Sequence, residues 1–257
     1  MSTETSARRA CASAFVVHPA IAAPLAAFDR EGVRWCLLRG AAELDRVDGD
    51  VDLLVSHSDL RGLRRALAAL GGYPPQNSWG RQPHRFFVDE TVVPGERVKL
   101  DVVTTLAFGR YGELPTGAAD TVLAARERCD GLWVPAPADA FWALLLHAVL
   151  DRGRIRAERA AELLVLAGRA GEGDSPLRDV VEEACPPGWD TGRVVEAVHA
   201  GAWDELSRLG PQLRDRWPGS SPARRTLTVG VRKVLRKAQR LQQSGSIASY
   251  RRARSTG

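Results

Sequence analysis

Apolar and polar positions alternate with two different periods along the chain, and the change between them falls near residue 135. In the first half the strand-like runs are short and half-apolar. Val33–Arg39 (VRWCLLR) reads as a strand closed by Gly40, and Val51–Ser56 (VDLLVS) as a second. His84–Val88 (HRFFV) and Val98–Thr104 (VKLDVVT) read as two more, pairing as a hairpin around Pro94-Gly95. A helix is expected before residue 32, with Pro24 in its first turn. A second is predicted from a Ser58-Asp59 cap to Leu70, with Leu60, Leu63, Leu67 and Leu70 as its apolar stripe and Gly71-Gly72 as its stop. Residues 73–83 hold three prolines and a glycine and are read as a loop.

From Pro137 onward the period is helical. Helices are predicted over 139–150, 156–166, 176–184, 190–200, 203–215 and 224–243. The expected fold class is therefore α+β. A mixed sheet with flanking helices (1–135) is followed by an all-α domain (136–215) and a basic amphipathic helix and tail (216–257).

At 257 residues with 44% hydrophobic side chains, the chain is large enough for a full core, which excludes a disordered or disulfide-stapled miniprotein. The net charge of +5 conceals a split. Residues 216–257 carry 11 Lys and Arg and no acid, whereas residues 1–215 carry 25 basic and 31 acidic side chains. A mildly acidic body thus ends in a strongly basic segment. In that segment Leu227, Val231, Val234, Leu235, Ala238 and Leu241 recur at helical spacing among Arg232, Lys233, Arg236, Lys237 and Arg240. Nucleic acid, an anionic membrane surface, another partner or the acidic body itself are all open as its contact.

Cys11, Cys36, Cys129 and Cys185 form no CxxC pair, and Cys36 sits in an apolar run as a core residue would. A reducing cytoplasmic setting is expected, with no signal peptide. No transmembrane segment is expected either, since the longest apolar run, Ala140–Leu150, contains His147 and falls short of ~20 residues. His147 has Asp151 one turn later and is read as a core histidine with a hydrogen-bond partner. Trp142 is read as core.

The chemistry concentrates in Asp48-Gly-Asp50-Val-Asp52-Leu-Leu-Val55. On a strand, Asp50 and Asp52 share one face, roughly 6–7 Å apart. Paired carboxylates are tolerated in water or beside a divalent cation. Asp101 is a third acid flanked by apolar residues. If its strand neighbours that of Asp52, the three carboxylates make a site for Mg²⁺ or Mn²⁺ of the kind used in phosphoryl transfer. Lys99 lies on the same face as Asp101. Upstream, Gly40 lets a backbone approach a phosphate, and Arg39 offers a guanidinium fork.

A strand ending in glycine, an Asp-x-Asp strand and a later strand with a lone Asp resemble the nucleotidyltransferase fold of the polymerase-β type. More narrowly, "WCLLRG", "DGDVDLLV", "VKLDVVTTLAFG" and "FWALLLHAVLDR" are similar to an uncharacterised nucleotidyltransferase family associated with bacterial polysaccharide and cell-surface biosynthesis clusters. The likeness spans roughly residues 30–170. It implies metal ligation by Asp50, Asp52 and Asp101, help from Asp101 in deprotonating an acceptor hydroxyl, and a nucleoside triphosphate near Gly40. Some members continue into a P-loop kinase-like domain, but no G-x-x-x-x-G-K-[ST] occurs here. Where the wider superfamily has Gly-Ser, this chain has Gly40-Ala41, one phosphate-binding hydroxyl fewer. The expected function is transfer of a nucleoside monophosphate to a hydroxyl of a small molecule or glycan precursor. The alternative is a catalytically degenerate binding or scaffold protein on the same fold.

Overall fold

The computed structural model describes residues 16–40, 43–71, 84–89, 93, 96–170, 173–223 and 225–234. The sequence-predicted loop at 73–83 and turn at Pro94-Gly95 lie outside these residues. A four-stranded mixed sheet forms the centre, in the order β1 (Trp35–Leu37), β2 (Asp50–Val55), β4 (Arg97–Val103), β3 (His84–Asp89). β2 pairs antiparallel with β1 and parallel with β4, and β3 and β4 pair antiparallel as expected.

The period of two sorts the sheet's faces. Val51, Leu53 and Val55 point to one side, with Trp35, Leu37, Phe86, Leu100 and Val102, and are covered by α1 (Pro19–Arg30) and α2 (Leu60–Ala69). Each large side chain sealed here contributes roughly 1.5–3 kcal/mol. Leu54 and Cys36 point to the other side and join a second core. That core contains α3 (Ala119–Ala125), α4 (Pro137–Leu146), α5 (Ala157–Ala170), α6 (Pro176–Ala184), α7 (Thr191–His199) and α8 (Trp203–Arg216). The helical half is therefore packed on the sheet face that also carries Asp50 and Asp52, at the opposite end of β2.

Several local expectations are corrected. Pro19, not Pro24, occupies the first turn of α1, and Pro24 lies inside it. Residues His57–Asp59 form a 3₁₀ turn before α2, and Asp59 makes no side-chain cap. Its carboxylate instead accepts from the backbone N–H and Nε of Arg34, each at 3.0 Å. The helix predicted over 139–150 ends its α-helical part at Leu146 and continues as a π-helical turn, His147–Asp151. There His147 Nδ1 meets Asp151 Oδ2 at 2.6 Å, and Asp151 Oδ1 accepts from the Gly109 N–H at 2.5 Å. The histidine thus has the structural role expected of it.

Two small hairpins had no expectation attached. They are β5 (Ala107–Phe108) with β6 (Leu114–Pro115), and β7 (Glu127–Cys129) with β8 (Leu132–Val134). Cys36 is fully buried, and burial pushes its thiol up to about 12. Cys185 is also free, whereas Cys129 is disulfide-bonded, which the reducing-cytoplasm expectation did not include.

Asp139 in the first turn of α4 is almost wholly buried. Ser175 Oγ donates to its Oδ1 at 2.6 Å, which favours the carboxylate, but burial dominates and raises its pKa. The folded state thus holds this proton to higher pH than the unfolded chain. The group's stabilisation is complete below the unfolded pKa, near 3.8, and is lost as pH rises through the folded value. Asp139→Asn keeps the acceptor for Ser175 and removes the charge. Thermal melts should show the variant above wild type at pH 8, with the gap closing towards pH 4. A gap independent of pH would contradict the buried-charge account.

Candidate active site

β2 and β4 run parallel in a register that sets Asp50 opposite Lys99 and Asp52 opposite Asp101. β3 adds Arg85 opposite Asp101. All five side chains lie on one face because they sit at alternate positions of neighbouring strands. Exposure falls across the three acids, from 47% of the side chain at Asp50 to 24% at Asp52 and 14% at Asp101. The site is thus a shallow acidic row that deepens towards Asp101.

Every acid faces a base. Lys99 Nζ donates to Asp50 Oδ2 at 2.6 Å and lies 3.6 Å from Asp101 Oδ1. Arg39 Nε donates to Asp52 Oδ2 at 2.8 Å. Arg85 Nε stands 3.5 Å from Asp101 Oδ1. Three carboxylates on one face repel one another, and these cations offset that repulsion.

Asp101 is the least comfortable member. Among the described residues its Oδ1 is buried without a hydrogen-bond partner, as is Arg85 Nε beside it. Burial raises its pKa most; Lys99 and Arg85 oppose that, while Asp50 and Asp52 add to it. A buried, underbonded carboxylate is costly for folding alone.

The approach to this row is built by the end of β1. The Leu38 N–H donates to the Asp52 carbonyl at 3.0 Å, so the chain reaches Arg39 still alongside β2. Gly40 then turns with φ +80°, which a side chain would strain. The Glu43 N–H closes the turn on the Gly40 carbonyl at 3.0 Å. Ala41 lies outside the described residues.

The helical half contributes a residue that carried no sequence signal. Arg159 of α5 reaches Glu43 at 3.3 Å and Glu162 at 2.8 Å. Burial lowers its pKa, but Glu162, Glu43 and Asp52 outweigh that and hold it fully charged. The structure therefore brings together every sequence-predicted site residue: Arg39 and Gly40 on the turn, Asp50 and Asp52 on β2, and Lys99 and Asp101 on β4. It sets Arg85 of β3 beside them and adds Arg159.

Among the described residues, no three His, Cys, Asp or Glu side chains are grouped as a metal site. The donor chemistry nevertheless suits a hard cation. The row offers only carboxylate oxygens, and one of them, Asp101 Oδ1, is buried and unsatisfied.

No family model matches the chain, and no curated protein matches it. Among solved structures, that of the antibiotic-resistance factor ANT(2'')-Ia is similar over 76% of this chain and 95% of that one. The TM-score is 0.37 and the identity 15%.

Proposed function

We propose that the chain is a metal-dependent nucleotidyltransferase that moves a nucleoside monophosphate from an NTP to a hydroxyl of a small molecule or glycan precursor. The observation that carries this reading is the convergence of Asp50, Asp52 and Asp101 on one face through the parallel β2–β4 register. A row of carboxylates with an unsatisfied buried oxygen at its deep end has no evident structural purpose.

In this reading Asp50, Asp52 and Asp101 hold Mg²⁺ or Mn²⁺, which when bound neutralises the charge developing on the transferring phosphoryl group. The chain's own residues do the rest. Lys99 and Arg39 lie within reach of the carboxylates and carry fixed positive charge for the triphosphate. Gly40 leaves its turn free of a side chain, so phosphate oxygens can approach the backbone. Asp101, shielded from water, takes the proton of the acceptor hydroxyl. The acceptor oxygen bonds to the α-phosphorus as the bond to the β-phosphate oxygen breaks, and pyrophosphate leaves in line.

The competing reading is a binding protein that keeps the fold without the chemistry. The ion pairs of Asp50 with Lys99 and of Asp52 with Arg39 favour it. A thermal-shift panel separates the two. The four NTPs are tested with Mg²⁺ or Mn²⁺ on wild type and on Asp50→Asn/Asp52→Asn. At about 100 times its Kd a ligand adds about 2.7 kcal/mol, or several degrees for a chain this size. A metal-dependent shift with one NTP, lost in the double variant, is expected. Absence of any shift at millimolar ligand would favour the binding protein.

A further inference from the structure

Residues 225–234, the described part of the basic C-terminal helix, meet the body through polar side chains. Residues 225–234 are helical and follow a turn in which Trp217 Nε1 donates to the Pro115 carbonyl at 2.9 Å. The helix docks through its arginines, not its apolar side chains. Arg225 donates to the carbonyls of Arg214 and Asp215. Arg232, two turns later, donates to the Tyr111 carbonyl at the tip of the β5–β6 hairpin. Gly112 leaves the room for it, since a Cβ there would meet Arg232 Nη1 at 2.5 Å. Lys233 stands 5.8 Å from the Tyr111 ring.

The opposite face is apolar and bare. Leu227, Val231 and Val234 are 69%, 38% and 69% exposed. Their spacing of four then three sets them in one ridge. In the sequence the same spacing continues to Ala238 and Leu241, beyond the described residues. An amphipathic helix belonging only to the body would turn this ridge inward.

Charge decides what covers it. Residues 216–257 hold 11 basic side chains and no acid. A second copy pairing along the ridge would set two such segments side by side, like charge against like charge. A nucleic acid would satisfy the charge but not the ridge, because phosphate contacts need no apolar surface. We propose that this segment docks on the surface of an anionic lipid bilayer. The ridge Leu227-Val231-Val234 seats at the acyl boundary, and the segment's basic side chains other than Arg225 and Arg232, which the body holds, meet lipid phosphates. Each basic residue near such a surface adds about fivefold to binding at low salt.

The test is flotation of the full chain with vesicles of phosphatidylcholine alone or mixed with phosphatidylglycerol, together with gel filtration and binding to single-stranded RNA. Wild type should float with the anionic vesicles and stay behind with the neutral ones. Leu227→Glu/Val231→Glu/Val234→Glu should weaken anionic binding by at least about tenfold, since it removes the ridge and adds repulsion. These positions are exposed, so its melting temperature should match wild type. Should it melt lower, Leu227→Ser/Val234→Ser replaces it and is expected to weaken flotation as well. Failure of wild type to float overturns the proposal, as does flotation unchanged by either ridge variant. A wild-type dimer that the ridge variant dissolves, without flotation, assigns the ridge to a second copy. RNA binding that the neutral variant Leu227→Ser/Val234→Ser leaves unchanged, without flotation, assigns the segment to a phosphate polymer.

Discussion

Asp101→Asn should cut nucleotidyl transfer by about 10²–10³, equivalent to about 3–4 kcal/mol of transition-state stabilisation, while leaving the melting temperature at or above that of wild type. The two halves of this expectation come from the same environment. Asp101 is the most buried of the three acids, its Oδ1 has no hydrogen-bond partner, and burial raises its pKa. Asparagine is the same size and carries no charge, so the folded state loses a desolvation cost. Lys99 keeps its 2.6 Å bond to Asp50, and the Arg85 side chain, 42% exposed, already has part of its surface in water. The proposed reaction, by contrast, would lose the group assigned to accept the hydroxyl proton. Asp52→Asn should lose activity too, but with a slight loss of stability, because Arg39 gives up a charged acceptor at a half-exposed pair worth ~0–1 kcal/mol. The measurement is pyrophosphate release with the donor found by thermal shift, beside a melt of each variant. Wild-type turnover in Asp101→Asn would remove Asp101 from the chemistry. An equally large loss of stability would make it a structural residue.

Opposite signs of these two effects are what a site, rather than a structural ion-pair cluster, predicts. An ion-pair cluster kept for folding would be satisfied at its deepest member. Here Asp50, the most exposed acid, has the shortest bond, and Asp101, the least exposed, meets its two cations among the described residues at 3.5–3.6 Å. Desolvation is therefore borne where compensation is weakest. Stability is lost there in the way expected where a binding or catalytic group is held ready for charge that arrives with a ligand.

The Asp50/Asp52 face was legible because a strand's period of two is a property of its own residues. The alternation in Asp50–Val55 and Arg97–Val103 states which side chains share a face before any partner is known. That β2 and β4 are neighbours, parallel, with Asp52 opposite Asp101, was a conditional, since pairing depends on the chain between them. Glu43 and Arg159, 116 residues apart, had no local pattern to announce them. Nor did β5 to β8, strands of two or three residues too short to show a period. The helical stretches of the second half read well because each buries one stripe, and Pro176–Ala184 agrees with its expected limits. The π-helical turn at His147–Asp151 did not, because an extra residue in a helical turn leaves the apolar content unchanged. The basic helix misleads in another way. Its stripe predicts a helix over 224–243, of which 225–234 is helical and 235–243 lies outside the described residues, but the stripe's partner is a question of tertiary structure, and the body takes the arginines instead.

Gly210→Ala should destabilise the protein by about 2–3 kcal/mol, at the upper end of what overpacking costs, although alanine is intrinsically the better helix former by about 1 kcal/mol. Gly210 lies within α8, where Leu206, Leu209 and Leu213 are buried in the core. Its bare Cα faces the π-helical turn. A Cβ there would overlap the Val149 carbonyl oxygen and come within 3.1 Å of its carbonyl carbon and 3.3 Å of its Cβ. The obstacle is backbone, which cannot rotate aside as a side-chain tip would. The same turn is held from both sides, by Arg214 Nη2 donating to the Leu150 carbonyl at 2.9 Å and by Asp151 accepting from Gly109. Relief therefore requires α8 or the turn to shift as a whole, and the packing of α8 with it. Gly168→Ala in α5 is the control. Nothing lies within 4 Å of a Cβ at that position, and it is exposed. It should gain about 0.5–1 kcal/mol. At about 2–4 °C per kcal/mol for a chain of this size, the two glycine-to-alanine changes should move the melting temperature in opposite directions. If Gly210→Ala melts with or above Gly168→Ala, the close approach of α8 to the π-helical turn is not what the packing of the helical half depends on.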